Sequence, residues 1–207
     1  MTRRGRLITL EGIDGSGKTT LSKRLAEALR KDGRDVEWAV EPTKSWLGES
    51  VRRGMQERIP DLAEAFLFLA DHAAHVERVE ATLASGTSIV CDRWADSCFA
   101  YQGAVLRATL GARGIDSLRW LEAIQAPFNR NPDLTLLLDL PVPTALERLK
   151  SRGSLEKFEH ADFLEVVRGN YLTLAAERGY YRVVPADRDA EAVYQECLEA
   201  ARAVLPP

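Results

Sequence analysis

The stretch "LITLEGIDGSGKTT", residues 7–20, passes from an apolar run through closely spaced glycines into a lysine and two threonines. Gly12, Gly17, Lys18 and Thr19 satisfy G-x-x-x-x-G-K-[ST], the pattern of a loop that cradles phosphate between a strand and a helix. Each residue type has a job. The glycines let the backbone bend so that N–H groups converge on phosphate oxygens. Lys18 brings a point charge to the outer phosphates, and the Thr19 hydroxyl can ligate Mg²⁺. The helix that follows presents its positive end to the anion. Gly12, Ile13, Asp14, Gly15, Ser16, Gly17, Lys18, Thr19 and Thr20 are therefore the candidate nucleotide-binding loop. It implies a nucleotide but not yet a reaction, since motors, GTPases and small kinases all use such a loop. No "NKxD"-like guanine signature accompanies it.

Outward from this loop, apolar runs alternate with helical patterns. "RLITLEG", "VEWAVEP", "TSIVCD", "DLTLLLDLP" and "YYRVVPA" read as strands. Between them lie a helix over "TTLSKRLAEALRKDG", a loop at "TKSWLGES", and a long helix opened by Asp61 as N-cap and ended by Gly86. Leu62, Phe66, Leu69, Ala73, Val76 and Leu83 form the apolar face of that helix. Two helical segments follow the third strand, the second capped by Asp116, and a helix from Pro143 runs into "RLKSRGSLEKFE". Another helix, the last strand and a terminal helix complete the chain. The alternation predicts an α/β fold with a five-stranded parallel sheet and helices on both faces.

Bulk properties narrow the function. The 207 residues suit one α/β domain. Hydrophobic residues make up 45% and charged residues 29%, with a net charge of −3, so no broad nucleic-acid surface is expected. No 18-residue apolar run is present, so no membrane span is expected. "MTRRGRLITLEG" reaches Glu11 too soon to read as a signal peptide. Cys91, Cys98 and Cys197 have no metal-type spacing, which points to reduced thiols and a cytoplasmic protein.

"CDRWADSCFAYQG", residues 91–103, follows the third strand and so falls at the carboxyl edge of the sheet, where open α/β folds bind ligands. Asp92 there can hold magnesium through water, and Arg93 can clamp an anionic acceptor. Together, "EGIDGSGKTT", "EPT…LGESVR", "DRWADSCFAYQG" and "RGSLEKFE…YLTLA" resemble, in order and approximate spacing, the thymidylate kinase family. The resemblance spans nearly the whole chain, and "DR-x₃-S-x₂-AYQG" is its most specific element. It implies a P-loop NTPase fold of the nucleoside monophosphate kinase kind, in a single domain 1–207 with a lid at about 148–160. The implied reaction is ATP + dTMP → ADP + dTDP with Mg²⁺, in a homodimer.

By that resemblance, Lys18 bridges the donor and acceptor phosphates, and Asp14 reaches the acceptor's 3′-hydroxyl and the metal region. Arg93 clamps the acceptor phosphate and Arg52 makes another acceptor contact, with Glu41 beside it. Tyr101 packs under the deoxyribose. Ser97, Cys98 and Gln102 border the thymine, and Phe68 stacks on it. Thr19 and Asp92 serve the metal. Gly15-Ser16 is a plain loop, while Arg148, Lys150, Arg152 and Lys157 form a basic lid, the combination of a bacterial-type group. Charge spreading over the transferred phosphoryl needs a cation that arrives on closure. Arg152 is the expected one, with Arg148 stacking on adenine.

Two departures touch the acceptor site. The family usually has an arginine four residues after the stacking aromatic; here that position is His72, on one helical face with Phe68. A neutral histidine would donate one hydrogen bond to the base. Many members also have two glycines where this chain reads "EPTKSWLG". His72 and His75 lack a third ligand for a metal. The rival readings are a kinase for a different acceptor and a nucleotide-binding regulatory subunit.

Overall fold

The computed structural model describes residues 4–150 and 160–205. The strands are β1 (Leu7–Glu11), β2 (Val36–Val40), β3 (Ser88–Asp92), β4 (Leu134–Asp139) and β5 (Tyr181–Pro185). They form one parallel sheet in the order β2-β3-β1-β4-β5. The α/β fold expected from the alternating pattern is the one found. The chain starts in the middle, builds toward one edge and then crosses to the other. That reversal leaves a crevice at the carboxyl end of β1, where the phosphate loop begins.

Side-chain alternation along β1 divides the core. Ile8 and Leu10 join the cluster that holds Leu25 and Leu29 of α1 (Lys18–Lys31) and Val193 and Cys197 of α8 (Ala190–Val204). Leu7 joins the opposite cluster, with Val76 and Leu83 of α3 (Asp61–Ala84), Phe99 and Leu106 of α4 (Ala95–Gly111) and Leu121 of α5 (Ser117–Gln125). By the period of two, Thr9 and Glu11 share the Leu7 face. Thr9 is fully buried yet satisfied, its hydroxyl 2.8 Å from that of Thr135 on β4.

Two elements differ from the sequence expectation. "TKSWLGES" is not all loop: α2 spans Trp46–Glu57, with the Ser45 hydroxyl accepting the Gly48 N–H at 3.3 Å as its cap. Asp61 is the first residue of α3 rather than its cap, a place taken by Pro60. The apolar stripe of α3 is buried only beyond its first turns, because Leu62 and Phe66 remain 39% and 49% exposed. Asp116 caps α5 as expected, accepting the Arg119 N–H. The remaining helices are α6 (Val142–Lys150) and α7 (Ala161–Glu177).

Candidate active site

Gly17 stands at the N-cap of α1 in a left-handed conformation (φ 95°) with no side-chain cap. The first amides of α1 are thereby left to an anion. Gly12 (φ 140°) lies so close to β4 that a Cβ would come within 2.6 Å of the Leu138 carbonyl oxygen. Inside the loop, Lys18 Nζ donates to the Ile13 carbonyl at 2.8 Å and lies 3.7 Å from Asp14 Oδ1. Burial and the neighbouring Arg93 charge push the lysine down to about 8. The Thr19 hydroxyl donates to Asp92 Oδ2 at 2.5 Å, so β3 and α1 bring together the two groups expected to serve a metal. Asp92 Oδ1 is buried without a hydrogen-bond partner. A hydroxyl beside an unsatisfied carboxylate oxygen fits Mg²⁺ held largely by phosphate and water. Among the described residues, no group of three or more His, Cys, Asp or Glu could hold a metal alone.

Beside the loop opens a cavity of about 280 Å³. Asp14, Gly15, Arg93 and Tyr101 line the end nearest the phosphate loop, and Glu41, Phe68, His72, Ser97, Cys98 and Gln102 complete the wall with residues the sequence reading missed, among them Met55, Trp94 and Leu149. Arg93 is ion-paired with Asp14 and lies 5.1 Å from the Tyr101 ring centroid. Burial works against both charges of that pair. Arg93 and Lys18 nonetheless hold Asp14 below its ordinary value, and Asp14 keeps Arg93 well above its own. The Tyr101 hydroxyl accepts the Asp14 N–H at 2.9 Å, joining α4 to the loop.

At the far end of the cavity the polar side chains are bonded to one another. His72 does line it, but its Nδ1 faces Glu41 Oε1 at 2.9 Å and its Nε2 faces Asn129 Oδ1 at 3.1 Å. Burial alone would lower the imidazole pKa; the Glu41 carboxylate outweighs this and raises it. His72 is therefore bonded at both ring nitrogens within the protein, with its pKa raised, rather than free to donate to a base. His75 Nδ1 lies 2.7 Å from the same Glu41 oxygen. The two histidines hold Glu41 down at about 2 against the opposing effect of burial. Ser97 also borders the cavity, yet its hydroxyl donates to Glu11 Oε2 at 2.6 Å. Among the described residues lining this cavity, Gln102 Nε2 is a buried donor without a partner.

Arg52 stands outside the cavity wall. Its guanidinium donates to the carbonyls of Pro42 (3.1 Å) and Thr43 (2.8 Å), in the turn after the cis Glu41–Pro42 peptide. Asp71 secures that turn, accepting from the Thr43 N–H at 2.7 Å and hydroxyl at 2.5 Å. On the other side of the phosphate loop a second cavity, also about 280 Å³, is lined in part by Ser16, Gly17, Thr20 and Arg148. Arg148 donates to the Gly15 carbonyl at 3.4 Å and the Ala186 carbonyl at 3.2 Å. Arg188 and Tyr194 share this wall with Arg24, whose guanidinium lies 3.5 Å from the Tyr194 ring centroid. Nothing in their sequence context marked these three. Arg152 and Lys157 lie outside the described residues.

Two cavities flank one phosphate loop; Arg93 lines the first, and Lys18 is buried in the loop itself. That arrangement defines a P-loop phosphotransferase that brings a nucleotide donor to a second, anionic acceptor. The family model for thymidylate kinase matches residues 10–197. The chain is 42% identical over 199 residues to a protein of Methanosarcina mazei, covering 95% of each. It is 38% identical to one of Methanococcoides burtonii, covering 98% of each, and 42% identical to one of Pyrococcus horikoshii, covering 93% of this chain and 94% of that protein. All three bear the name "Probable thymidylate kinase". The chain belongs to the thymidylate kinase family, and its activity is that of a dTMP kinase. These relatives are archaeal and do not carry the expected bacterial-type assignment. No helix of the described residues is long and apolar enough to cross a membrane.

Proposed function

We propose that dTMP lies in the cavity walled by Phe68, Arg93, Tyr101 and Gln102, with ATP across the phosphate loop in the cavity walled by Thr20, Arg148 and Tyr194. The observation that carries this reading is the Arg93–Asp14–Lys18 cluster at the phosphate loop. An acceptor-phosphate oxygen attacks the γ-phosphorus of ATP, and the bond to the bridging oxygen of ADP breaks. The attacking acceptor oxygen is already anionic near neutral pH, so no general base is needed; positioning and charge do the work. Arg93 grips the acceptor phosphate, with Arg52 a further contact when its turn closes over the site. Lys18 spans both phosphates. Asp14, held ionised, receives the sugar 3′-hydroxyl. Phe68 stacks on the base, Tyr101 underlies the sugar, and the unpartnered Gln102 amide donates to a base carbonyl. Mg²⁺, held through Thr19 and Asp92, supplies charge neutralisation on the donor phosphates.

Glu41, His72 and Cys98 complete the base end as wall rather than as direct donors. We read the chain as one kinase domain whose lid, at about 148–160, brings Arg152 to the transferred phosphoryl. The plain Gly15-Ser16 loop and the Arg148–Gly15 contact support a cation supplied from that side, as in the bacterial-type group. The exposed Leu62 and Phe66, with Phe66 edge-on to Trp120 at 6.2 Å, support a homodimer through α3. Three buried free cysteines fit a reducing cytoplasm. The test is ADP release measured against a panel of nucleoside monophosphates and nucleosides. dTMP is expected to be the best acceptor, and thymidine, lacking a group for Arg93, to be poor. A better acceptor than dTMP would mean that the base pocket is misassigned.

A further inference from the structure

Glu11 is a buried ionisable group that the reaction above leaves unused. It ends β1, is fully buried, and accepts three hydrogen bonds. The Trp94 N–H reaches Oε1 at 2.7 Å; the hydroxyls of Ser97 and Tyr171 reach Oε2 at 2.6 and 2.9 Å. Burying a carboxyl is costly unless such partners meet it. Two of the three follow Arg93 directly: Trp94 at the N-cap of α4 and Ser97 in its first turn.

The backbone at Arg93 needs holding. Arg93 has φ 73°, a left-handed backbone that a non-glycine residue keeps only when its surroundings impose it. Its own N–H donates to the Leu10 carbonyl at 3.1 Å. The next N–H, that of Trp94, goes to Glu11. The guanidinium in turn donates from Nη1 to the Ser97 hydroxyl at 3.3 Å, the hydroxyl that gives its single hydrogen to Glu11. The carboxyl thus holds both the backbone after Arg93 and the group its guanidinium leans on. Burial and the Asp96 charge push Glu11 up to about 8, against the opposing effects of the Ser97 and Tyr171 hydrogen bonds and the Arg93 charge.

We propose that Glu11 is a positioning residue for Arg93, fixing through the Trp94 amide and the Ser97 hydroxyl where the guanidinium stands for the acceptor phosphate. This rests on Arg93 being the phosphate clamp. A glutamine at position 11 has nearly the same shape but offers an NH₂ where Oε2 accepts. Ser97 would then have to accept there, in competition with Arg93 Nη1.

The experiment compares wild type, Glu11→Gln, Arg93→Ala and the double variant. It reads dissociation constants for dTMP and thymidine by calorimetry, and kcat and KM for both substrates. Glu11→Gln should weaken dTMP binding about tenfold, the loss of one hydrogen bond, with thymidine binding and the ATP KM unchanged. In the Arg93→Ala background the same change should add nothing. Equal weakening of dTMP and thymidine, or full additivity, would overturn the proposal. Unchanged dTMP binding in Arg93→Ala alone would overturn the clamp itself, and the proposal with it. Should Glu11→Gln fail to fold, Ser97→Ala cuts the hydroxyl link and leaves the Trp94 bond. Because Ser97 also borders the acceptor cavity, the readout is the cycle: Ser97→Ala should weaken dTMP binding in wild type and add nothing in the Arg93→Ala background, and normal dTMP binding or full additivity would refute the idea.

Discussion

Replacing Glu41 by glutamine removes one carboxylate that two buried histidines share. Glu41 is held at about 2 against an ordinary value of 4.5. At about 1.4 kcal/mol per unit, that difference corresponds to about 3 kcal/mol of folded-state stabilisation. The raised pKa of His72 is the same attraction seen from its other partner, so it is counted once. The sign follows from each group. A depressed carboxylate contributes fully above its unfolded value and loses its contribution as pH falls from about 4.5 toward 2. A raised histidine contributes fully below its unfolded value of 6.5 and loses its contribution as pH rises through the higher folded value. Wild type should therefore exceed Glu41→Gln in stability most clearly between about pH 4.5 and 6.5, by roughly 2–3 kcal/mol. The gap should narrow on both sides. The amide still accepts one histidine N–H, which keeps the loss below that of a truncated buried pair. Urea unfolding of both proteins without nucleotide, from pH 4 to 9, measures the gap. A difference that stays flat across this range would falsify the charged Glu41–His72 pair. A bell on the wrong side, largest above pH 8, would do the same.

The other predictions concern the reaction and the assembly. Lys18→Ala should lower kcat by roughly 10²–10³, the effect of removing one charge-stabilising donor, in a steady-state assay of ADP release; near-native turnover would dismiss the bridging role. Phe68→Ala should raise the dTMP KM about tenfold or more with the ATP KM unchanged, since a stacked base gains about 1–3 kcal/mol from its ring. Thr19→Val should shift the Mg²⁺ dependence of turnover to higher concentration without changing thermal stability by more than about 1 kcal/mol. Phe66→Glu on the exposed start of α3 should abolish the homodimer proposed through that face, read by sedimentation of wild type and variant; a wild type that sediments as a monomer, or a dimer the change leaves intact, would refute that interface.

Features written over consecutive residues were legible early. The phosphate loop needs glycines, a lysine and a threonine at fixed offsets, and the strand before it needs an unbroken apolar run. The sheet and most helices followed from periods of two and 3.6. Helix α2 escaped because "TKSWLGES" looks like a turn. Leu47, Val51 and Met55 repeat at helical spacing behind Ser45, the signal that would have found it. The exposed start of α3 could not be seen, since the same apolar stripe serves a core or an interface.

The sequence by itself determined the parallel α/β order, the phosphate loop and the family to which the chain belongs. It also paired Thr19 with Asp92 for the metal and gave Arg93 to the acceptor phosphate. Tertiary structure alone decided what each polar group spends its bonds on. His72 is taken by Glu41, 31 residues away, and Ser97 by Glu11, 86 residues away. Gln102 is left as the donor facing the base cavity. The physical reason is range. Backbone conformation and amphipathic period are set by neighbours along the chain. Hydrogen-bond partners and ionisation states are set by which distant segments meet once water has been excluded.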